Sequence, residues 1–109
     1  FESPFVERVL MGGLDCGNHV QDSFYGELDS GHFYHQTRYY RILKKYRKRW
    51  SEERLNNWFM DRVAVYENVK KDGLKRPLYI NSKNLILDGN HRYSMMKHLG
   101  HKSVFVRRT

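Results

Sequence analysis

Leu85-Ile-Leu-Asp-Gly-Asn-His-Arg-Tyr93 follows closely on the apolar run Leu78-Tyr-Ile80, and its reading decides the fold of this chain. An apolar, strand-like run ends in Asp88-Gly89, and a helical pattern opens at once with Asn90, His91 and Arg92. A strand that turns through glycine into a helix N-terminus presents unpaired backbone N–H groups and the positive end of the helix dipole to an anion. The same turn carries an imidazole, a guanidinium and a carboxylate, a set suited to phosphate chemistry. Gly89 lets backbone amides approach a ligand closely. Arg92 is fit either for bidentate bonds to phosphate oxygens or for a local pair with Asp88. His91 has an ordinary pKa near 6.5 and is suited to donate to phosphate or shuttle a proton, or to a structural role. Asp88 has three readings: a magnesium ligand, an orienting partner for His91, or a helix cap.

The flanking sequence builds a frame for this turn. Leu78 to Ile80 and Leu85 to Leu87 read as short strands around an Asn81-Ser-Lys-Asn84 turn. A helix is predicted from Asn90 to Leu99, stopped by Gly100, with Tyr93, Met95, Met96 and Leu99 facing a core. Ser103 to Arg107 reads as a closing strand, Val104 and Val106 pointing opposite to Phe105, expected to pair beside a hairpin strand. Upstream, Ser51 is a predicted N-cap with Glu52 and Glu53 in the first turn. Leu55, Trp58 with Phe59, Val63, Tyr66 and Val69 carry a helical stripe to Lys71, Gly73 stands just past its end, and Pro77 holds Arg76 extended. Another helix is predicted over 35–50 from the spacing of Tyr39, Ile42 or Leu43, Tyr46 and Trp50. The first 31 residues hold five of the eight glycines and read as loops with short strands. Turns are marked there by Met11-Gly-Gly13 and Cys16-Gly-Asn18.

One domain is expected over 1–109: a loop-rich part to 34, a helical part over 35–73, and a phosphate-binding hairpin, helix and strand over 74–109. The fold class this predicts is α+β, a small mixed sheet with helices packed on one side. Starting at Phe1 rather than Met, the chain is expected to be a fragment. No apolar run nears the roughly 18 residues that span a bilayer, so no membrane partner is expected. A single cysteine, Cys16, leaves no internal disulfide framework and points to the cytoplasm.

Lys and Arg number 20 against 12 Asp and Glu, a net charge of +8 that favours polyanionic partners such as nucleic acid and nucleotides. Arg38, Arg41, Lys44, Lys45, Arg47, Lys48 and Arg49 stand on the predicted 35–50 helix without an acid among them. The first six are candidate contacts to a nucleic-acid backbone. Tyr39, Tyr40, Tyr46 and Trp50 between them read as core residues rather than base-stacking platforms. A further polar group is Glu27, Asp29, His32 and His35. Its spacing is not a zinc signature, so no metal site is assigned, and Asp29 or Ser30 is expected to cap the following helix. Glu27 is retained as a candidate catalytic acid beside His91 and Asp88.

The segment Val65-Tyr-Glu-Asn-Val-Lys-Lys-Asp-Gly-Leu-Lys-Arg-Pro-Leu-Tyr-Ile80 resembles the ParB N-terminal domain, in which a helix ends in a Gly-Leu-x-x-Pro-hydrophobic turn. Asp88-Gly-Asn-His-Arg-Tyr-Ser-Met-Met-Lys-His-Leu-Gly100 is similar to the family's next box, Gly-x-[Arg/His]-Arg opening a helix that closes in Leu-Gly. His101-Lys-Ser-Val-Phe-Val106 resembles its final strand. The resemblance spans 65–106, leaves the first 60 residues unmatched, and points to the ParB/sulfiredoxin superfamily of partition proteins, sulfiredoxins, ParB-like nucleases and free-serine kinases. It implies that Gly89, Asn90, His91 and Arg92 contact phosphate, with a nucleotide (ATP, ADP or CTP) and Mg2+ as candidate ligands. Asn90 stands where sulfiredoxins carry their catalytic cysteine, which excludes sulfinic-acid reduction. It also replaces the glutamate common in chromosomal ParB proteins that clamp on CTP. Two functions follow from the resemblance: a DNA-associated partition-like or nuclease-like domain, and a small-molecule kinase of the free-serine type. A protein-interaction module with a degenerate site is a third.

Overall fold

The strands described are three to six residues long, and two of the three ladders that pair them join segments distant in sequence. The computed structural model describes residues 6–16 and 19–108. Its sheet has the order β1-β4-β2-β3, where β1 is Val6–Leu10, β2 Leu78–Ile80, β3 Ile86–Asp88 and β4 Ser103–Arg108. β4 runs parallel to β2, with Leu78 opposite Val106, and antiparallel to β1, with Leu10 opposite Ser103. β2 and β3 form the expected hairpin. Asn81 makes its turn: its side-chain oxygen accepts from the N–H of Lys83 at 2.9 Å and of Leu85 at 3.0 Å. Asn84 closes the turn at a φ of 65°, a conformation asparagine tolerates better than most residues. The alternation expected of the last strand is present: Val104 and Val106 are buried and Phe105 is half-buried under the Arg8 guanidinium.

Four helices complete the mixed α+β fold: α1 (Phe24–Asp29), α2 (Arg38–Tyr46), α3 (Glu52–Asp72) and α4 (Asn90–His98). α3 matches its sequence signals closely. The Ser51 hydroxyl accepts from the Arg54 N–H at 3.1 Å, and Gly73 ends the helix at a φ of 74°. α2 is shorter than the helix predicted over 35–50. Thr37 is extended, and its Oγ1 accepts from the Tyr40 N–H while donating to the Tyr34 carbonyl, which fixes the helix start at Arg38. At the other end Arg47 leaves helical geometry, and Arg47, Lys48 and Arg49 lie in the turn before Ser51. Consecutive like charges there gain nothing from stacking on one helical face, whereas Trp50 gains contact with Trp58.

The expected capping by Asp29 or Ser30 is also corrected. Thr37 is the cap of α2, and Asp29 ends α1, where it accepts from the Tyr66 hydroxyl at 2.6 Å, His98 at 2.8 Å and Lys70 at 3.1 Å. Burial opposes its charge, but these three bonds hold its carboxyl below the usual carboxylate range. Met11–Gly13 is a 3-10 turn, as its glycines suggest, whereas the second marked turn reaches residues 17 and 18, outside the described set.

Aromatic rings fill the core. Phe59, fully buried, meets Phe24, Tyr34, Tyr39, Tyr40 and Trp58 with ring centroids 4.9–5.9 Å apart. This ring hub joins α1, α2 and α3, and α3 and α1 in turn pack on α4. Because no nearby side chain can refill the space, Phe59→Ala is expected to cost about 3–5 kcal/mol. Urea unfolding checks this; a loss under 1 kcal/mol would show the hub to be dispensable.

Candidate phosphate site

Gly89 joins β3 to α4 at a φ of 105°, as the N-cap of the helix. A Cβ there would sit 2.6 Å from Leu78 Cδ2 and 3.0 Å from the Arg92 guanidinium, so both backbone and space demand glycine. No side chain caps α4, and its first amides are left to the cleft that opens beside them. Asp88 therefore does not cap; its largely exposed carboxylate lies 3.6 Å from Arg92 Nη2. Asn90 is the first helical residue, and its side-chain oxygen accepts from the buried Cys16 thiol at 3.1 Å.

The cleft, about 370 Å³ in volume, is walled by Asp88, Gly89, Asn90, His91 and Arg92 on one side and by Arg62, Val65 and Arg76 on the other. Arg92 is largely buried and donates to the carbonyls of Arg76 and Pro77 at 3.3 and 3.4 Å. Burial first, and then the charge of Arg76, disfavour its charged form; Asp88 partly offsets them. Three guanidiniums thus face one carboxylate across a helix N-terminus, an arrangement whose mutual repulsion an entering anion relieves.

Arg62 escapes sequence reasoning that looks only for basic runs. It lies on α3 four residues after Trp58 and four before Tyr66, on the apolar stripe itself, and its guanidinium rests 5.0 Å from the Trp58 ring. An arginine on a buried stripe is the signal that identifies it. Arg76, the residue Pro77 holds extended, is carried to the cleft by the Gly73-to-Pro77 turn.

His91 is wedged among rings. Its Nδ1 is 3.5 Å from the Tyr25 hydroxyl, Trp58 meets it edge-on at 5.3 Å and Tyr39 at 6.0 Å. Burial, reinforced by the Arg62 charge, pushes its pKa down to about 4. At neutral pH it is therefore an uncharged hydrogen-bonding group on the cleft wall, not the half-protonated shuttle its ordinary pKa suggests.

The other expected residues fall elsewhere. Arg38, Arg41, Lys44, Lys45, Arg47 and Lys48 are all exposed, and among the described residues none of them forms an ion pair with a carboxylate. Glu27 does not line the cleft; its carboxylate accepts from the Arg38 N–H at 3.0 Å, at the start of α2. His32 bonds the Glu27 carbonyl and His35 stacks on Phe33. Among the described residues no three of His, Cys, Asp and Glu gather as metal donors. Also among them, no helix is long and apolar enough to cross a membrane.

No protein-family model matches the sequence, and no curated protein matches it. A solved structure of a Pnob8-like ParB-N domain does match in fold. The similarity covers 94% of this chain and 28% of that one, with a TM-score of 0.52 and 14% sequence identity. The chain thus has a ParB-like α+β fold, and it spans little more than a quarter of the length of the protein it matches.

The buried neutral imidazole carries a pH signature. The unfolded chain takes up a proton at His91 near pH 6.5 and the folded chain only near pH 4. Its contribution is therefore intact above about pH 6.5 and falls by up to about 3 kcal/mol as the pH drops toward 4. Melting temperature against pH is expected to flatten over this window in His91→Gln; identical slopes in both proteins would refute the burial of a neutral imidazole.

Proposed function

We propose that this ParB-like domain binds the phosphate groups of a nucleotide or nucleic acid in the cleft at the start of α4, and that it is DNA-associated. One observation carries the reading: Arg62, Arg76 and Arg92 converge on an uncapped helix N-terminus beside a left-handed glycine. Backbone N–H groups and planar guanidiniums both complement phosphate oxygens, and neutral His91 adds a hydrogen-bonding group without further charge repulsion. The ParB-N likeness supports the same reading. A magnesium ion would arrive with a nucleotide, shared between its phosphates and Asp88, the carboxylate on the cleft wall. The unpaired cations of α2 and the following turn supply the electrostatic face for DNA. A small-molecule kinase would need a second carboxylate as general base near the phosphates, and Asp88 is the one carboxylate among the residues that line the cleft.

A thermal-shift panel of ATP, ADP, CTP, GTP and inorganic pyrophosphate with magnesium tests the cleft. At saturating ligand the melting temperature is expected to rise, by about 4–8 °C per kcal/mol of linkage. Arg92→Ala and Arg62→Gln should remove most of the rise. Absence of any shift with every phosphate compound would end the reading. DNA association has its own measure. Binding to labelled DNA should weaken steeply with salt, and neutralising Arg41, Lys45 and Lys48 together should flatten the log–log salt slope by about one unit per cation removed.

A further inference from the structure

The phosphate cleft does not end at His91. The other side of that imidazole lines a second depression of about 390 Å³, walled by Tyr39, Tyr46, Trp50 and Trp58 with Arg47 at its edge. Tyr46, Arg47 and Trp50 in turn border an open groove of about 540 Å³ that adds Lys45, Lys48 and Arg49. His91 borders both the cleft and the second depression, and Tyr46, Arg47 and Trp50 border both the depression and the groove, so cations and aromatic rings are interspersed along one track. The aromatics here are not all core. Tyr39 is buried, whereas Tyr46, the last residue of α2, is 77% exposed on a turn of like charges. Trp50 is half-buried, with the Arg47 and Arg54 guanidiniums 5.5 and 4.3 Å from its ring.

An exposed ring set among cations suits a partner that is both flat and negatively charged. A duplex hides its base faces, and a free nucleotide has a single base for several rings. A single strand offers what the track lacks: successive bases to stack on Tyr46 and enter the Tyr39–Trp58 depression, and successive phosphates for the cations between them. We propose that the track from Lys48 through Tyr46 and Trp58 to Arg92 is a binding site for single-stranded DNA. The proposal rests on the phosphate-binding reading of the cleft and adds the bases to it. Ending α2 at Tyr46 is what makes the site, because a helix continued to Trp50 would not form the turn that carries Arg47, Lys48 and Arg49.

Fluorescence anisotropy with a labelled oligothymidylate of about 12 nucleotides tests this, a length within the range of small single-strand sites. The same strand in a duplex, an abasic strand and an oligouridylate serve as comparisons. The single strand is expected to bind at least about tenfold tighter than duplex or abasic DNA. Tyr46→Ala should weaken the single strand by roughly 5- to 100-fold, leave the abasic strand unchanged, and be rescued by Tyr46→Phe. Since Tyr46 is exposed, unaltered melting temperatures of both variants show that the fold is intact. Equal affinity for duplex and single strand, or a Tyr46→Ala effect below twofold, overturns the track while leaving the phosphate cleft standing if pyrophosphate still shifts melting. Oligouridylate binding more than tenfold tighter overturns the assignment to DNA. Failure of every phosphate compound and every strand removes both readings together.

Discussion

A single backbone geometry, the left-handed glycine at position 89, sets the relation between sheet and helix. β3 must reverse into α4 within one residue, and the space above that residue is taken by Leu78 from the neighbouring strand and by the Arg92 side chain. Any Cβ would have to displace a fully buried leucine or the guanidinium that closes the Arg76–Pro77 turn. The turn thereby couples three pieces: the β2–β3 hairpin, the helix start and the loop that leads out of α3. The residues that pack this turn also line the cleft, and the glycine N-cap has no side chain with which to bond the first amides of α4.

Around that turn the electrostatics are lopsided by construction. α3 contributes an arginine from its buried stripe, the loop after it a second, and α4 a third, while the one facing carboxylate is mostly solvated. His91 stays neutral because rings surround it and Arg62 stands near, so the cleft carries its charge on guanidiniums alone. Guanidiniums keep their charge at any physiological pH, so the positive charge of the cleft does not vary with pH, whereas the stability of the fold beneath it does.

Much of this frame is written locally. Ser51 and Gly73 bracket α3, Asn81 and Asn84 shape the hairpin turn, and Gly89 with Gly100 bracket α4, so these elements stand near where their signals place them. The α+β class and the placing of the last strand beside a hairpin strand follow from the same punctuation. What escaped was set by distant partners. α2 is short because Thr37 caps a later start that periodicity overlooks and, at the other end, Trp50 is drawn to Trp58. β1 and α1 lack strong local propensity and exist through pairing with β4 and through the ring core. At the site, Gly89, Arg92 and Asp88 were legible because they are neighbours in sequence. Arg62 was hidden because its role depends on how α3 lies against α4.

The sheet order has a consequence for how the chain reaches this state. β4 occupies an interior position between the N-terminal strand and the hairpin, so the last strand made is the one that joins the others. Closing β1 onto β4 pairs residues as far apart in sequence as Val6 and Arg107, and that loop entropy is met only when β4 is available. The helices and the hairpin have local contacts to draw on, while β1 stays unpaired until β4 is in place. The rate-limiting event of folding is expected to be the docking of β4 rather than the assembly of the turn at Gly89.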